Sequence, residues 1–139
     1  MKKMLTVLLT LTALNGMYAV VAVPLPLATV VANADGGDVL RYDSLYTESN
    51  WQGVALPPEV MFALGDPRQM VLTVEDLPSN VKASLRPSHA AGVVGLKISR
   101  DDRRQAVRQT GRFTLTNPAS GYSYTVQAMV VGEEQPEKD

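Results

Sequence analysis

The chain has 139 residues, of which 45% are hydrophobic, a formal net charge of −1 and no cysteine. This length predicts a single domain. The lack of cysteine excludes a disulfide framework, a thiolate metal site and a cysteine nucleophile. The near-neutral charge argues against a nucleic-acid-binding protein, which carries a basic excess over a whole face.

The amino-terminal residues have the composition of a secretory signal. Lys2 and Lys3 precede the apolar run MLTVLLTLTAL, and no acidic residue occurs before Asp35. Small residues, which signal peptidases require before the cut, are found in ANA ending at Ala34 and in MYA ending at Ala19. We predict a signal peptide over residues 1–34.

Two alternatives to that cut stay open. Met4 to Val31 is long enough to span a bilayer as an uncleaved anchor, although prolines interrupt it. Cleavage after Ala19 instead leaves the terminus VVAVPLPLATVVANADGG, in which alternate residues from Val21 to Val31 have the period of a strand. Such a terminus can complete the sheet of a neighbouring molecule, although Pro24 and Pro26 limit its pairing to one side.

For residues 35–59 we predict an irregular segment with a short strand at Val39 to Tyr42. The Pro57-Pro58 pair excludes a central strand at its end. Trp51, with Tyr42 and Tyr46 nearby, is a candidate platform for a sugar or a protein partner. The alternative is that Trp51 closes one end of the domain.

Residues 60–131 alternate apolar and polar side chains, which is the period of a half-buried strand. In the last run, from Tyr122 to Val131, the second half is apolar on both sets of positions, which predicts cover on both faces there. Turn sequences such as GDP and NPASG separate the runs. We therefore predict an all-β core over residues 60–131, folded as a two-sheet antiparallel sandwich. The apolar sets are Met70, Leu72 and Val74; Val81, Ala83 and Leu85; Val94, Leu96 and Ile98; Phe113 and Leu115; and Tyr122, Tyr124, Val126, Ala128 and Val130.

The stretch SRDDRRQAVRQTGRF, residues 99–113, links the predicted strand ending near Ile98 to the one starting near Arg112. Its arginines are candidates for binding an acidic protein partner. The alternative is a solvated loop in which Asp101 and Asp102 neutralise part of the charge. The absence of interleaved aromatic residues argues against nucleic acid. The five arginines are Arg100, Arg103, Arg104, Arg108 and Arg112.

For residues 132–139 we predict an acidic, disordered tail. His89 is the only histidine, and no motif places a serine nucleophile beside it. No nucleophile, base and orienting group can be assembled from this sequence, so we expect no enzyme activity, no metal site and no cofactor.

The segments EVMFALGDPRQMVLTVEDLPSNVKASLRPS, GVVGLKIS and GRFTLT resemble the Ig-like sandwich modules of exported bacterial proteins. The matching positions are Gly65, Leu77, Pro78, Val81, Gly111, Phe113, Thr114, Leu115 and Thr116. The chain departs from true immunoglobulin domains in lacking both cysteines and the tryptophan between them. The resemblance implies an Ig-like antiparallel two-sheet scaffold used for spacing, adhesion or assembly.

From these features we expect a non-enzymatic, exported structural or binding module, located in the periplasm or on the bacterial surface. It acts through protein–protein contacts, with an envelope partner or with itself, in an assembly such as a pilus, adhesin or secretion apparatus. Contact with a membrane is expected only through an uncleaved amino terminus. The alternative is a carbohydrate- or ligand-binding module that uses Trp51 and the nearby tyrosines.

Overall fold

The computed structural model describes residues 25–32, 40–88 and 90–136, and for residues 40–42 it describes the backbone alone. These ranges contain strands β1 to β9, one α-helix, α1, and one 3₁₀ helix at Pro67–Gln69. The bounds are β1 Thr29–Ala32, β2 Leu40–Tyr42, β3 Ser44–Tyr46, β4 Gln52–Ala55, α1 Pro58–Leu64, β5 Val71–Glu75, β6 Val81–Arg86, β7 Val93–Arg100, β8 Val107–Thr116 and β9 Ser123–Gly132.

The strands form two sheets. One has the order β2-β1-β4-β7-β6 and the other the order β3-β9-β8-β5. Neighbouring strands are antiparallel except β3 and β9, which are parallel. The sets β1-β4-β7-β6 and β9-β8-β5 have the strand order of a constant-type immunoglobulin sandwich. The predicted all-β, two-sheet sandwich is confirmed.

From Met70 onward, the apolar residues at alternate positions face the core, as predicted. Phe113 and Leu115 on β8 and Val126 and Val130 on β9 are buried between the sheets. The intervening residues of these strands face outward, and Thr114 is half-buried there. Alternate apolar positions can all face the core because successive side chains of a strand point to opposite faces.

The sandwich begins earlier in the chain than the sequence predicted. Strand β1 lies within the predicted leader, pairs with β2 and β4, and buries Val30 and Val31 almost completely. Strands β3 and β4 lie within the segment predicted to be irregular. The alternation from Val21 to Val31 indicated a strand able to complete the sheet of a neighbouring molecule, but β1 pairs within its own chain, and its consecutive valines Val30 and Val31 are both buried. Residues 1–24, to which most of the predicted leader belongs, lie outside the described residues.

Helix α1 replaces a predicted strand at the start of the 60–131 core. Pro58 is in the first turn, where a proline costs no hydrogen bond, and Gly65 ends the helix with a φ of 79°. Val60 and Leu64, one turn apart, are buried, whereas the side chain of Phe62 is 89% exposed. Seven residues give too few turns for a helical period to stand out in the sequence.

Candidate binding surfaces

The arginine-rich stretch is not one loop. Arg100 is the last residue of β7, Arg103 and Arg104 lie in the turn that follows, and Arg108 and Arg112 lie on β8. The strands extend further than predicted because residues 107–111 pair with the end of β9. The five arginines therefore have different surroundings and do not form a single cluster.

Arg100 is buried and donates its side-chain hydrogen bonds within the chain. Its guanidinium contacts both carboxylate oxygens of Glu48, with Nη2 2.8 Å from Oε1 and Nε 3.3 Å from Oε2. Nη1 donates to the carbonyl oxygens of Gln105 at 2.8 Å and Glu133 at 3.1 Å. The side chain is 0% exposed. The prediction that Arg100 belongs to an exposed partner-binding cluster does not fit this position, since its donors are already occupied.

The turn that carries Glu48 links the two sheets. The backbone N–H of Thr47 donates to Val131 of β9, and that of Glu48 donates to Ile98 of β7. Gly132 makes room for this arrangement, because a Cβ atom there would lie 2.5 Å from Oγ1 of Thr47 and 2.9 Å from Cζ of Arg100. Burial by itself raises the pKa of Glu48. The hydrogen bonds from Arg100 and Thr47, with the charge of Arg100, outweigh burial and hold that pKa below its ordinary value.

A buried amide holds β3 in place beside β4. Gln52 is 1% exposed, and its side chain accepts from the backbone N–H of Tyr46 at 2.9 Å and donates to the Tyr46 carbonyl at 2.7 Å. The Gln52 amide, which belongs to the five-stranded sheet, thus satisfies the backbone N–H and C=O of Tyr46 on β3 of the other sheet. No motif around Gln52 predicts this role, since its neighbours in the sequence are not distinctive.

The turn after β7 contains two exposed arginines with different partners. The Arg104 guanidinium lies 3.0 Å from the Asp102 carboxylate, and its hydrogen bond lowers the pKa of Asp102. Arg103 is exposed, and its carbonyl accepts from the N–H of Gln135 at 2.9 Å. This hydrogen bond holds Gln135, which belongs to the tail predicted to be disordered, against the turn. Gly132, the first residue of that predicted tail, is the last residue of β9. A cleft of about 670 Å³ lies between the turn and the tail.

Arg112 lies on the outer face of the four-stranded sheet and is paired. Its guanidinium is 3.2 Å from the Glu75 carboxylate and 2.9 Å from that of Asp76. Asp76 has a positive φ of 71°, which brings its carboxylate back toward β8. Two acidic partners leave Arg112 little charge to offer an acidic protein.

Arg108, on the same outer face, is exposed and pairs with no acidic side chain among the residues described. It lies in one row with Val131 of β9 and Tyr46 of β3. The next row contains Met129, and Leu27 bridges to β9 close by. We call these five residues, Leu27, Tyr46, Arg108, Met129 and Val131, the outer patch.

The outer patch is an exposed apolar surface with one cation. Leu27 is 80% exposed and Tyr46 is 45% exposed, while Met129 and Val131 are half-buried. The five side chains line a depression of about 510 Å³ together with Asp43, Ser44, Thr110 and Glu133. The predicted cover over the second half of the last strand is therefore only partial. The apolar outward positions Met129 and Val131 were the one sequence signal for this surface.

Trp51 and Tyr46 do not form a common platform. Trp51 directly precedes β4 in the five-stranded sheet, whereas Tyr46 belongs to β3 in the other sheet. The indole is half-buried, and its Nε1–H donates to the Pro87 carbonyl at 3.1 Å. The hydrogen-bonding group that a sugar would use is thus occupied. The side chain of Tyr42, and all of His89, lie outside the described residues.

Comparisons with protein-family models, curated proteins and solved structures find no match to this chain. Within residues 25–32, 40–88 and 90–136, no helix is long and apolar enough to cross a membrane. Within the same ranges, no three histidine, aspartate or glutamate side chains are placed to hold a metal ion.

Proposed function

We propose that the chain is a non-enzymatic, exported binding module of a bacterial envelope assembly, and that it acts through protein–protein contacts at the outer patch. The observation that carries this proposal is that Arg108 lines one depression together with the exposed side chains of Leu27 and Tyr46. In the part of the chain that the structure describes, Arg108 pairs with no acidic side chain, and it lies on the outer face of the four-stranded sheet next to apolar side chains.

The chemistry of the outer patch fits a protein partner. Tyrosine, methionine and arginine are enriched at protein interfaces, because they combine a large apolar contact area with a polar or charged group. Leu27 and Tyr46 come from the two segments that cover the outer edge of β9. A partner that presents an apolar side chain next to a carboxylate would bury the former against Leu27 and Met129 and pair the latter with Arg108.

Three carboxylates, those of Glu48, Asp66 and Asp102, are held by hydrogen bonds from arginines of the same chain, which lower their pKa values. Arg100, Arg68 and Arg104 are therefore engaged within the chain.

Export is proposed from the charged and apolar residues at the amino terminus. Of the two cleavage sites, the one after Ala19 keeps β1, whereas the one after Ala34 removes it. We therefore propose processing before Leu25 in place of the predicted cut after Ala34. Mass spectrometry of the protein recovered from cells measures the mature amino terminus directly.

Site-specific photo-crosslinking tests the binding surface. A photoreactive amino acid replaces Met129 in the full chain, which is expressed in the cells that produce it. The control replaces Ser84, an exposed residue on β6 of the other sheet. The proposal predicts a discrete crosslinked protein from position 129 that weakens in an Arg108→Glu background and is absent from position 84. No adduct at 129, or equal adducts at both positions, would refute the outer patch as the binding surface.

A further inference from the structure

The side of the sandwich formed by β5 and β6 is open. These strands are edges of different sheets, and their inward-facing residues Leu72, Val74, Ala83 and Leu85 are only half-buried. The inward-facing apolar residues of the central strands β4 and β7 are buried, as Val54 and Ile98 show. The core is therefore accessible along this one side.

Strand β5 is less protected than the other sheet edges, since its one charged side chain, that of Glu75, is paired with Arg112. Strands β2 and β3 have three residues each, and β6 carries Lys82 and Arg86 and is followed by Pro87. Short length, positive charge and proline are the usual means by which edge strands avoid pairing with another chain. The five residues of β5, VLTVE, include no lysine, arginine or proline, and Val71 is 49% exposed. Within the described ranges, no backbone hydrogen bond reaches β5 from outside its pairing with β8.

The sequence of β5 is complementary to itself about Thr73. If a second β5 lies antiparallel with Thr73 opposite Thr73, Leu72 of each copy lies opposite Val74 of the other on the core side. On the outer side, Thr73 extends a row that already contains Thr114 and Thr125, whose hydroxyl oxygens are 2.8 Å apart. Opposed threonine pairs are favourable across antiparallel strands, and the Leu72–Val74 pairs would bury apolar surface between the copies. Val71 faces Glu75, whose charge is already paired with Arg112.

We propose that two copies of this chain pair through antiparallel β5 strands centred on Thr73, joining their four-stranded sheets into one sheet of eight. The contact is isologous, because each copy presents the same surface to the other about a two-fold axis. It covers the half-buried residues Leu72 and Val74 of both copies.

This inference goes beyond the proposed function and does not depend on it. The outer patch lies on β3, β9, the start of β8 and the segment of Leu27, whereas β5 pairs only with residues 112–116 of β8. Pairing at β5 leaves both patches free and on one face of the joined sheet, so that the dimer can bind two sites at once. Photo-crosslinking at position 129 and pairing at position 73 can therefore fail separately.

Sedimentation analysis of the purified protein over a range of concentrations tests the pairing. The variant Thr73→Lys places two ammonium groups opposite each other at the two-fold axis. The matched control is Ser84→Lys, at an exposed position of the protected edge β6. We expect a concentration-dependent dimer for the wild type and the control, and at least a tenfold weaker dimer for Thr73→Lys. A wild type that stays monomeric, or equal weakening by both lysines, overturns the proposal.

Disulfide trapping keeps the proposal testable if the lysine variant does not fold. The chain has no cysteine, so Thr73→Cys and Ser84→Cys each introduce a single thiol. Opposed Cβ atoms of antiparallel strands are about 4.5–5.5 Å apart, close to the reach of a disulfide. Mild oxidation should give a covalent dimer with Thr73→Cys and little with Ser84→Cys. The reverse result, or no difference between the two variants, overturns the proposal.

Discussion

Arg100 and Glu48, 52 residues apart, form a two-point ion pair at one end of the sandwich. The same guanidinium holds the carbonyls of Gln105 and Glu133. One side chain thus ties β7 to the turn before β4, to the turn before β8 and to the end of β9. Arg100 is a structural residue, and the arginines left for a partner are the exposed ones.

Removal of one member of this pair should strongly destabilise the fold. Arg100→Met removes the guanidinium from the Glu48 carboxylate, which keeps only the backbone N–H of residue 100 and the hydrogen bond from Thr47, and it leaves the carbonyl oxygens of Gln105 and Glu133 without this donor. Breaking a buried pair in this way typically costs about 3–5 kcal/mol. Urea unfolding at neutral pH measures the free energy of unfolding. The matched control, Arg103→Met in the neighbouring turn, should change it by less than about 0.5 kcal/mol, because Arg103 is exposed. Equal losses from the two variants would contradict the structural role of Arg100.

The ion pair should also make stability depend on pH in the acid range. The pKa of Glu48 is lowered from 4.5 in the folded chain, so the folded protein binds that proton less readily than the unfolded chain does. The stabilisation is complete above the unfolded pKa and is lost as the pH falls through the lower folded pKa. Urea unfolding of the wild type and of Glu48→Gln, from neutral pH down to about pH 3, checks this. The wild type should lose stability more steeply below pH 4.5. Parallel curves would rule out the contribution of Glu48.

Gly132 should tolerate no side chain while Arg100 is present. A Cβ atom would lie 2.5 Å from Oγ1 of Thr47 and 2.9 Å from Cζ of Arg100, so these side chains must shift to make room for it. Overpacking of this kind typically costs about 1–3 kcal/mol. The free energy of unfolding should fall by that amount in Gly132→Ala and by clearly less when Arg100→Met is already present. Additive losses would show that the two positions are not coupled.

Local patterns in the sequence predicted the strands from Met70 onward, because apolar and polar residues alternate along most of their length. They indicated a strand ending at Val31 only as an alternative to the leader, and they missed α1, which is too short to show a period. No local sequence feature distinguishes a buried arginine from an exposed one. The sequence therefore predicted the same role for Arg100 as for its exposed neighbours. Its partner, Glu48, lies 52 residues away and is set by the packing of the sheets.

The outer patch could be predicted only in part. Its residues come from the amino-terminal segment, β3, β8 and β9, and their proximity depends on the parallel pairing of β3 with β9. Parallel pairing between distant segments leaves no local sequence signal. Met129 and Val131 were visible as apolar residues at outward positions, whereas the exposure of Leu27 was not.

The two phenylalanines should differ sharply in their effect on stability. Phe113 is 1% exposed at the centre of the core, and Phe113→Ala should cost about 3–5 kcal/mol. Phe62 is 89% exposed, so Phe62→Ala should change the free energy of unfolding by less than about 0.5 kcal/mol. Thermal and urea unfolding of both variants measure the contrast. A large loss from Phe62→Ala would contradict the outward orientation of that helix position.

The segment before Asp35 should be needed for a stable sandwich. Strand β1 lies between β2 and β4 and is therefore an internal strand, and Val30 and Val31 are 0% and 1% exposed. Burying a valine contributes about 1.5–3 kcal/mol, so the two together contribute about 3–6 kcal/mol, as an upper estimate. Pro26 and Ala28 also exchange backbone hydrogen bonds with Gln127. A chain starting at Asp35 would lose this burial and expose the edges of β4 and β9 to other molecules.

A comparison of two chains, 20–139 and 35–139, checks this expectation. Domain stabilities are typically about 5–15 kcal/mol, so the loss of β1 removes a large share of the total. The longer chain should unfold in one cooperative transition at a clearly higher urea concentration, and the shorter chain should be partly unfolded or aggregated in buffer. Because the two chains begin at the two candidate cleavage sites, the stable one also identifies the site that export can use. If both chains were equally stable, β1 would be dispensable and cleavage after Ala34 would be compatible with the fold.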